Sequence, residues 1–380
     1  MKILYHHRIA SKDGQYVHVE EIIKAFRKLG HEVIIVAPNI AESSEFGSNG
    51  GWVDVLKASL PKWFYEILEF SYSFYDFFKL VIAIVKHKPD CIYERCNIFL
   101  PSGIWAKKIF HLPLQLEVNA PLYQERKKYG GISLDWLAKW SEKYAWLNAD
   151  KVLPVTHVMA QYVIESGVPE EKITVIPNGV DTDIFTPRNI NNRASKYKGK
   201  LVVGFVGFCR EWHRLDEVMA LLAKYDRSDI YFLVIGDGPI IGALKNQAAQ
   251  LGFEKQFETT GIVKREDMPY WLDQIDIALQ PAVTPWASPL KMIEYFAKGI
   301  ATVAVDSANI RELIDDNVNG LLFSDGDMAE MLLKIDVLIN DKTLMKLVQK
   351  ESFLTINNKQ LYWLSNAEKI IEQYKTKMKN

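Results

Sequence analysis

Two stretches in the second half of this 380-residue chain carry residue types at spacings that could hold an anion. The first is Gly207-Phe208-Cys209-Arg210-Glu211-Trp212-His213-Arg214, set between an apolar run and an amphipathic one. A glycine there permits close backbone approach, and Arg210 offers a planar fork matched to phosphate oxygens. His213 or Arg214 could add a second donor; the plainer alternative is a solvated turn with ordinary surface arginines. The second stretch is Ser288-Pro289-Leu290-Lys291-Met292-Ile293-Glu294. Ser followed by Pro starts a helix well, and the N–H groups and positive dipole end suit a pyrophosphate, the dipole term alone being about 0.3–1 kcal/mol. Lys291 in that first turn opposes the dipole unless an anion lies beside it. Glu294, one turn on, could accept both hydroxyls of a ribose, or be an exposed helix carboxylate.

The elements that must position these residues form a repeated βαβ unit. Ile3-Leu4-Tyr5 leads through a polar loop into a helix near 17–29, then Gly30 and the run Val33-Ile34-Ile35-Val36. About two hundred residues on, the run Leu201–Val206 leads through Gly207 to Arg214 into a helix near 215–224, then Tyr231–Ile235. Fully apolar strand runs separated by helices predict parallel sheets covered on both faces. Further strands are expected at 91–93, 114–117, 151–153, 174–176, 275–279 and 301–305. The polar segment Thr186–Arg193 reads as a linker, giving domains of 1–188 and 189–366, with a last helix near 367–380 returning to the first. Ligands of such sheets bind beyond the carboxyl ends of the strands, so a shared cleft is the expected site.

Composition narrows the function. Lys plus Arg (46) nearly balances Asp plus Glu (47), so no global field drives binding to nucleic acid. Cys91, Cys96 and Cys209 have no metal-ligand spacing and suit a reducing cytoplasm. The opening residues lack the pattern of a secretory signal, and the longest apolar stretch, 74–85, is broken by Asp76 and Lys79. GxGxxG, a nucleophile elbow and a Walker loop are all missing, which argues against an ordinary NAD enzyme.

In order along the chain, His6-His7-Arg8 with Asp13-Gly14-Gln15, Gly30-His31-Glu32-Val33, Ile176-Pro177-Asn178-Gly179-Val180-Asp181 with Phe185, Gly236-Asp237-Gly238-Pro239, and Ser288-Pro289-Leu290-Lys291 with Glu294-Tyr295 through Asn319-Gly320 together resemble a family 4 retaining glycosyltransferase. The resemblance implies the GT-B fold, an α/β architecture of two Rossmann-like domains facing across a cleft, the first binding acceptor and the second a nucleotide-sugar. It implies that Gly14 lies against the donor diphosphate, that Arg210 and Lys291 bind phosphate without a metal, that Glu294 binds ribose, and that backbone near Ile262-Val263 meets the base. No cofactor is implied beyond a UDP- or GDP-linked sugar as co-substrate. The family's second glutamate, eight residues before Glu294, is here Trp286, and Trp212-His213 with Ser-Pro-Leu-Lys resembles a bacterial subset with the same departures. Asp181-Thr182-Asp183 spells a metal motif of another fold, but within this context it reads as structural.

For the acceptor, Glu117 or Asn119 at one strand end could bind its hydroxyl or the donor sugar. Glu94 and Arg95 at another are a second candidate, or else a buried ion pair holding the strand tip. The aromatic stretch 63–78 reads first as core; with Lys107-Lys108 and Arg126-Lys127-Lys128 it also suits a lipid-linked acceptor at the inner face of the cell membrane. The rivals to a cytoplasmic hexosyltransferase of polysaccharide, glycolipid or small-molecule glycoside synthesis are a nucleotide-sugar epimerase or phosphorylase, and a non-catalytic nucleotide-sugar binding protein.

Overall fold

The computed structural model describes residues 1–9, 14–38 and 60–378. The chain divides into two compact units: Met1–Pro177 with Trp286–Ser288 and Trp363–Asn380, and Asn178–Pro285 with Pro289–Tyr362.

In the first unit the order is β1 (Lys2–His6), α1 (Gly14–Lys28), β2 (Glu32–Val36), α2 (Lys62–His87), β3 (Cys91–Arg95), α3 (Ser102–Phe110), β4 (Leu114–Val118), α4 (Leu122–Tyr129), α5 (Asp135–Asn148), β5 (Lys151–Pro154) and α6 (His157–Glu165). Its sheet is parallel, ordered β2-β1-β3-β4-β5. The second unit runs β6 (Leu201–Val206), α7 (Leu215–Ala223), β7 (Ile230–Ile235), α8 (Ile241–Gln250), β8 (Phe257–Thr259), α9 (Met268–Leu272), β9 (Ile277–Gln280), α10 (Leu290–Ala297), β10 (Ala301–Val305), β11 (Leu321–Phe323), α11 (Met328–Asn340) and α12 (Lys342–Asn358). Its sheet is also parallel, ordered β11-β10-β9-β6-β7-β8. Helix α13 (Trp363–Met378) completes the first unit.

The central strands β3, β4 and β10 are buried at every residue, as expected of parallel strands covered on both faces. In each unit the strand order reverses beside the first strand, β1 or β6, so the switch points lie at His6 and Val206, where α/β sheets take their ligands.

Several boundaries differ from the sequence reading. The units part after Pro177 and not at 188, because Val180 and Phe185 are buried in the second unit's core and the Val180 N–H donates to the Leu361 carbonyl (2.9 Å). The last helix begins at Trp363, whose buried ring packs on His18 at 4.8 Å; farther along, Gln115 donates to the Ile370 carbonyl and Tyr374 to that of Ile92. Residues 174–176 form no strand: the N–H groups of Thr174 and Ile176 bond to β5, and Pro177, which has no N–H, ends the run. The three-residue strands β8 and β11 are too short to leave a pattern. The aromatic stretch lies within one 26-residue helix, α2.

Candidate functional site

The second unit builds its site at the end of β6. Beyond Val206 the chain turns through Gly207, whose N–H donates to the Ile235 carbonyl (2.9 Å), and Cys209 donates to the Asp237 carbonyl (2.7 Å). The loop is thereby fastened to the end of β7. The fastening needs glycine opposite: Gly236 and Gly238 have φ of 146° and 156°, and a Cβ on either would come within 2.1 Å of a backbone oxygen, that of Gly207 or Cys209. Exposed Arg210 lies over the rings of Phe208 and Trp212, at 4.9 and 5.1 Å.

His213 turns back into this loop. Its Nδ1 accepts from the Arg210 N–H (3.2 Å) and its ring packs on Phe205 at 4.8 Å. Burial, then the charges of Lys291 and Arg210, lower its pKa to about 3, so the imidazole is neutral with its proton on Nε2, a donor. Arg214 differs: it forms a bidentate pair with Glu217 and donates to the Gly326 carbonyl (3.2 Å). Of the two alternatives for a second donor, His213 belongs to the loop and Arg214 is committed elsewhere.

Lys291 and Glu294 share a face of α10, three residues apart. The Lys291 ammonium lies 4.1 Å from the centre of the Phe205 ring, and 3.0 Å from where a Cβ on Gly207 would stand. Burial lowers its pKa to about 8, so a cation is held against the β6 turn at a desolvation cost that an anion would relieve. Glu294 is buried, and its carboxylate accepts from Arg265, whose guanidinium stacks over Phe185 at 4.5 Å. Ile262 is exposed and Val263 packs partly on the core, just after Gly261. Pro289, not Ser288, occupies the cap position, and the helix starts at Leu290; Ser288 groups with the first unit.

The first unit gathers its polar residues at the ends of β3 and β4, where Arg95 and Glu117 are register partners. The buried Glu117 carboxylate accepts from Tyr93 (2.9 Å), Arg95 and Asn119 (both 2.5 Å), and pairs with His18 Nε2 (3.0 Å). Burial alone would raise its pKa, but His18 and Arg95 hold it well below the usual carboxylate range. A carboxylate so bound is a poor proton acceptor. Glu94 is equally internal: it accepts from His6 Nδ1 (2.7 Å), whose Nε2 faces Asp76 at the same distance. Glu94 and Arg95 are thus the buried ion pairs that tie strand tips, while half-buried Asn119 keeps surface access. Gly14 opens α1, and Asp13 lies outside the described residues.

Sequence reasoning missed His18, Arg265 and Asp76. His18 is one turn into α1 and Asp76 stands alone in an aromatic run, a visible signal; Arg265 carried none. Among the described residues no group of three or more His, Cys, Asp or Glu side chains is placed to hold a metal ion. Asp181 Oδ1 accepts from the Asp183 N–H (3.1 Å), a turn cap in keeping with the structural reading of that motif.

Comparison with known proteins places the chain. The model described as Glycosyltransferase Family 4 matches residues 12–184, and that described as Glycosyl transferases group 1 matches residues 188–353. The 2-deoxystreptamine glucosyltransferase of Streptomyces kanamyceticus is 25% identical over 210 residues, 53% of this chain and 54% of that protein. Sulfoquinovosyl transferase SQD2 of Arabidopsis thaliana is 23% identical over 349 residues, 87% of this chain and 64% of that protein. The matches thus span less than two thirds of the length of these curated relatives. The crystal structure of Anabaena Alr3699/HepE in complex with UDP superposes with a TM-score of 0.76 at 18% identity, covering 99% of this chain and all of that one. With one family model on the β1 half, the other on the β6 half and the same fold end to end, the chain belongs to family 4 of the glycosyltransferases and has the GT-B fold.

Proposed function

We propose that the protein transfers a hexose-type sugar from a nucleotide-diphosphate sugar, UDP- or GDP-linked, to an acceptor hydroxyl with retention of configuration. The observation that carries this is Lys291: a half-buried cation with a lowered pKa, pressed against a backbone turn at the switch point of the second sheet, with a buried carboxylate one turn beyond. A diphosphate at the β6 turn would gain Lys291, Arg210 and the His213 Nε2–H as donors, besides the start of α10 at Ser288, Pro289 and Leu290 and the backbone of Gly207. Glu294, held by Arg265, would take the ribose hydroxyls, and Ile262-Val263 would flank the base. Gly14 would meet the donor from the first unit, and Asn119 is the favoured contact to the acceptor. Relatives support the substrate class: the HepE structures hold UDP and UDP-glucose.

In this reading, charge building on the departing diphosphate is met by Lys291 and Arg210, so the reaction needs neither a protein nucleophile nor a metal ion. Trp286, where the family usually has a glutamate, is buried in the first unit against Tyr162, and the Thr156 hydroxyl donates to its carbonyl. We take it as a mark of the Trp-His, Ser-Pro-Leu-Lys subset and not as loss of activity. A sugar or lipid-linked acceptor in polysaccharide or glycolipid synthesis, met in the cytoplasm, fits the relatives that include an amylovoran biosynthesis glycosyltransferase of Erwinia amylovora. The test is release of UDP or GDP from a donor panel with and without acceptors. Release only with acceptor supports transfer, conversion of donor alone supports an epimerase, and binding without turnover supports a non-catalytic binder.

A further inference from the structure

Arg8 stands just past the end of β1, at the switch point of the first sheet, in a His-His-Arg run to which the transfer reading gives no role. Its guanidinium lies over the Tyr72 ring of α2 at 4.7 Å, and its ion-pair partner Glu69 is 3.7 Å away, beyond hydrogen-bond distance. Among the described residues no hydrogen bond fixes the Arg8 side chain, and Nη1 is enclosed without a partner. The side chain as a whole is 22% exposed, so a ligand can reach its outer donors. Arg95 and Arg265, by contrast, both donate to carboxylates. The counterpart of Arg8 in the second unit is Arg210. It too follows the first strand of its sheet and is held over aromatic rings, with its donors left for a ligand.

The acids around Arg8 are spent on other partners. Glu69 accepts from Arg126 of α4 (2.8 Å), whose guanidinium stacks over Phe99 at 5.2 Å, so two arginines flank one carboxylate. Glu66 accepts from the N–H groups of Ser133 and Leu134 just before α5. Asp76 faces His6 and accepts from the Ser102 hydroxyl, and Glu94 also serves His6. The Arg8 donors therefore stay unspent and partly desolvated at the end of the sheet where α/β folds take their ligands. A purely structural role does not require Arg8, because the Glu69–Arg126 pair already ties α2 to α4.

We propose that Arg8, with Arg126 beside it, binds an oxyanion carried by the acceptor, a phosphate or carboxylate on or next to its sugar. Calling that molecule the acceptor rests on the transfer reading; the anion site itself stands on the first unit alone. A planar guanidinium fork matches either oxyanion. The placement also sets a length. Strand β3 separates β1 from β4, so the strand ends that carry Arg8 and Asn119 are two strand spacings, about 10 Å, apart. An acceptor whose reacting hydroxyl meets Asn119 would thus bring its oxyanion to Arg8 from the far side of a single sugar ring. A neutral sugar there would leave the arginine donors covered and unpaired, which is how such a site rejects it.

The experiment titrates inorganic pyrophosphate at low salt into the full chain and into Arg8→Gln, Arg8→Lys and Lys291→Ala. Wild type should bind it both at the β6 turn and at Arg8. Lys291→Ala should lose the first event and keep the second, so the donor site and this one can fail separately. Arg8→Gln should weaken the second about tenfold or more, with an unchanged thermal midpoint because Glu69 and Arg126 remain paired. Should that variant misfold, Arg8→Lys, which keeps the charge but not the fork, should still weaken the same event. With donor present, glucose 1-phosphate, a prenyl diphosphate-linked glucose, methyl glucuronide and neutral methyl glucoside distinguish the sources of the oxyanion. The KM of the best anionic acceptor should rise about tenfold or more in Arg8→Gln while kcat changes little. Pyrophosphate binding and acceptor KM untouched by Arg8→Gln, or a preference for methyl glucoside over every anionic acceptor, would overturn the proposal.

Discussion

At the scale of the residue, the site turns on one ammonium. Lys291→Ala should lower kcat/KM by about 10²–10³-fold, the usual loss on removing a group that meets charge developing in the transition state, and steady-state kinetics on the best donor would check it. Because burial has lowered its pKa to about 8, Lys291 is charged below that value and neutral above it in the free protein. A bound diphosphate would favour the charged form, so donor affinity should fall as pH rises past 8. Titration calorimetry between pH 6.5 and 9.5 would show this; a flat profile would remove Lys291 from the site. Arg210, Lys291 and Glu294 could be picked out in sequence because glycine, helix start and charge recur at telling spacings. Arg265 could not, since the Phe185 ring and Glu294 carboxylate that give it a role meet only in three dimensions.

At the scale of the element, short polar links decide where loops and helices stand. Gly236→Ala would drive a methyl into the Gly207 carbonyl and shift the loop that carries Arg210. We expect a rise in KM for the donor larger than any fall in kcat, measured at saturating acceptor. His6 joins three elements, bonding through one ring nitrogen to Glu94 of β3 and facing Asp76 of α2 with the other. Burial alone would lower its pKa, but the two carboxylates raise it from 6.5 to about 10. A group whose pKa is raised on folding stabilises fully below its unfolded value, here 6.5, and the gain is lost as pH climbs through 10. The thermal midpoint of the first unit should therefore decline over that window, and His6→Gln should cost about 3–5 kcal/mol in urea unfolding by leaving two acids facing each other. Strand positions were largely legible from their apolar runs. The inward acids of α2 were not, because a pattern of aromatic residues reads as core until the partners of Glu66 and Asp76 are seen.

At the scale of the whole molecule, the doubled βαβ pattern revealed two parallel sheets, and the residues on either side of Pro177 show why the division was harder to place. Asn178–Phe185 is continuous with the first unit in sequence, yet Val180 and Phe185 bury their side chains in the second. A nucleoside diphosphate at 100 times its Kd should stabilise the second unit by about 2.7 kcal/mol; hydrogen exchange would locate the protection, expected on the β6 turn and the start of α10.

Removing residues 363–380 should loosen the sheet of the first unit while sparing that of the second, because Gln115 and Ile92 both bond to α13. During synthesis on the ribosome, then, the half that is translated first is the half that matures last. Its β3 and β4 must wait, unsealed, until every residue of the other half has left the exit tunnel, and that interval is when the chain is most open to chaperones and proteases.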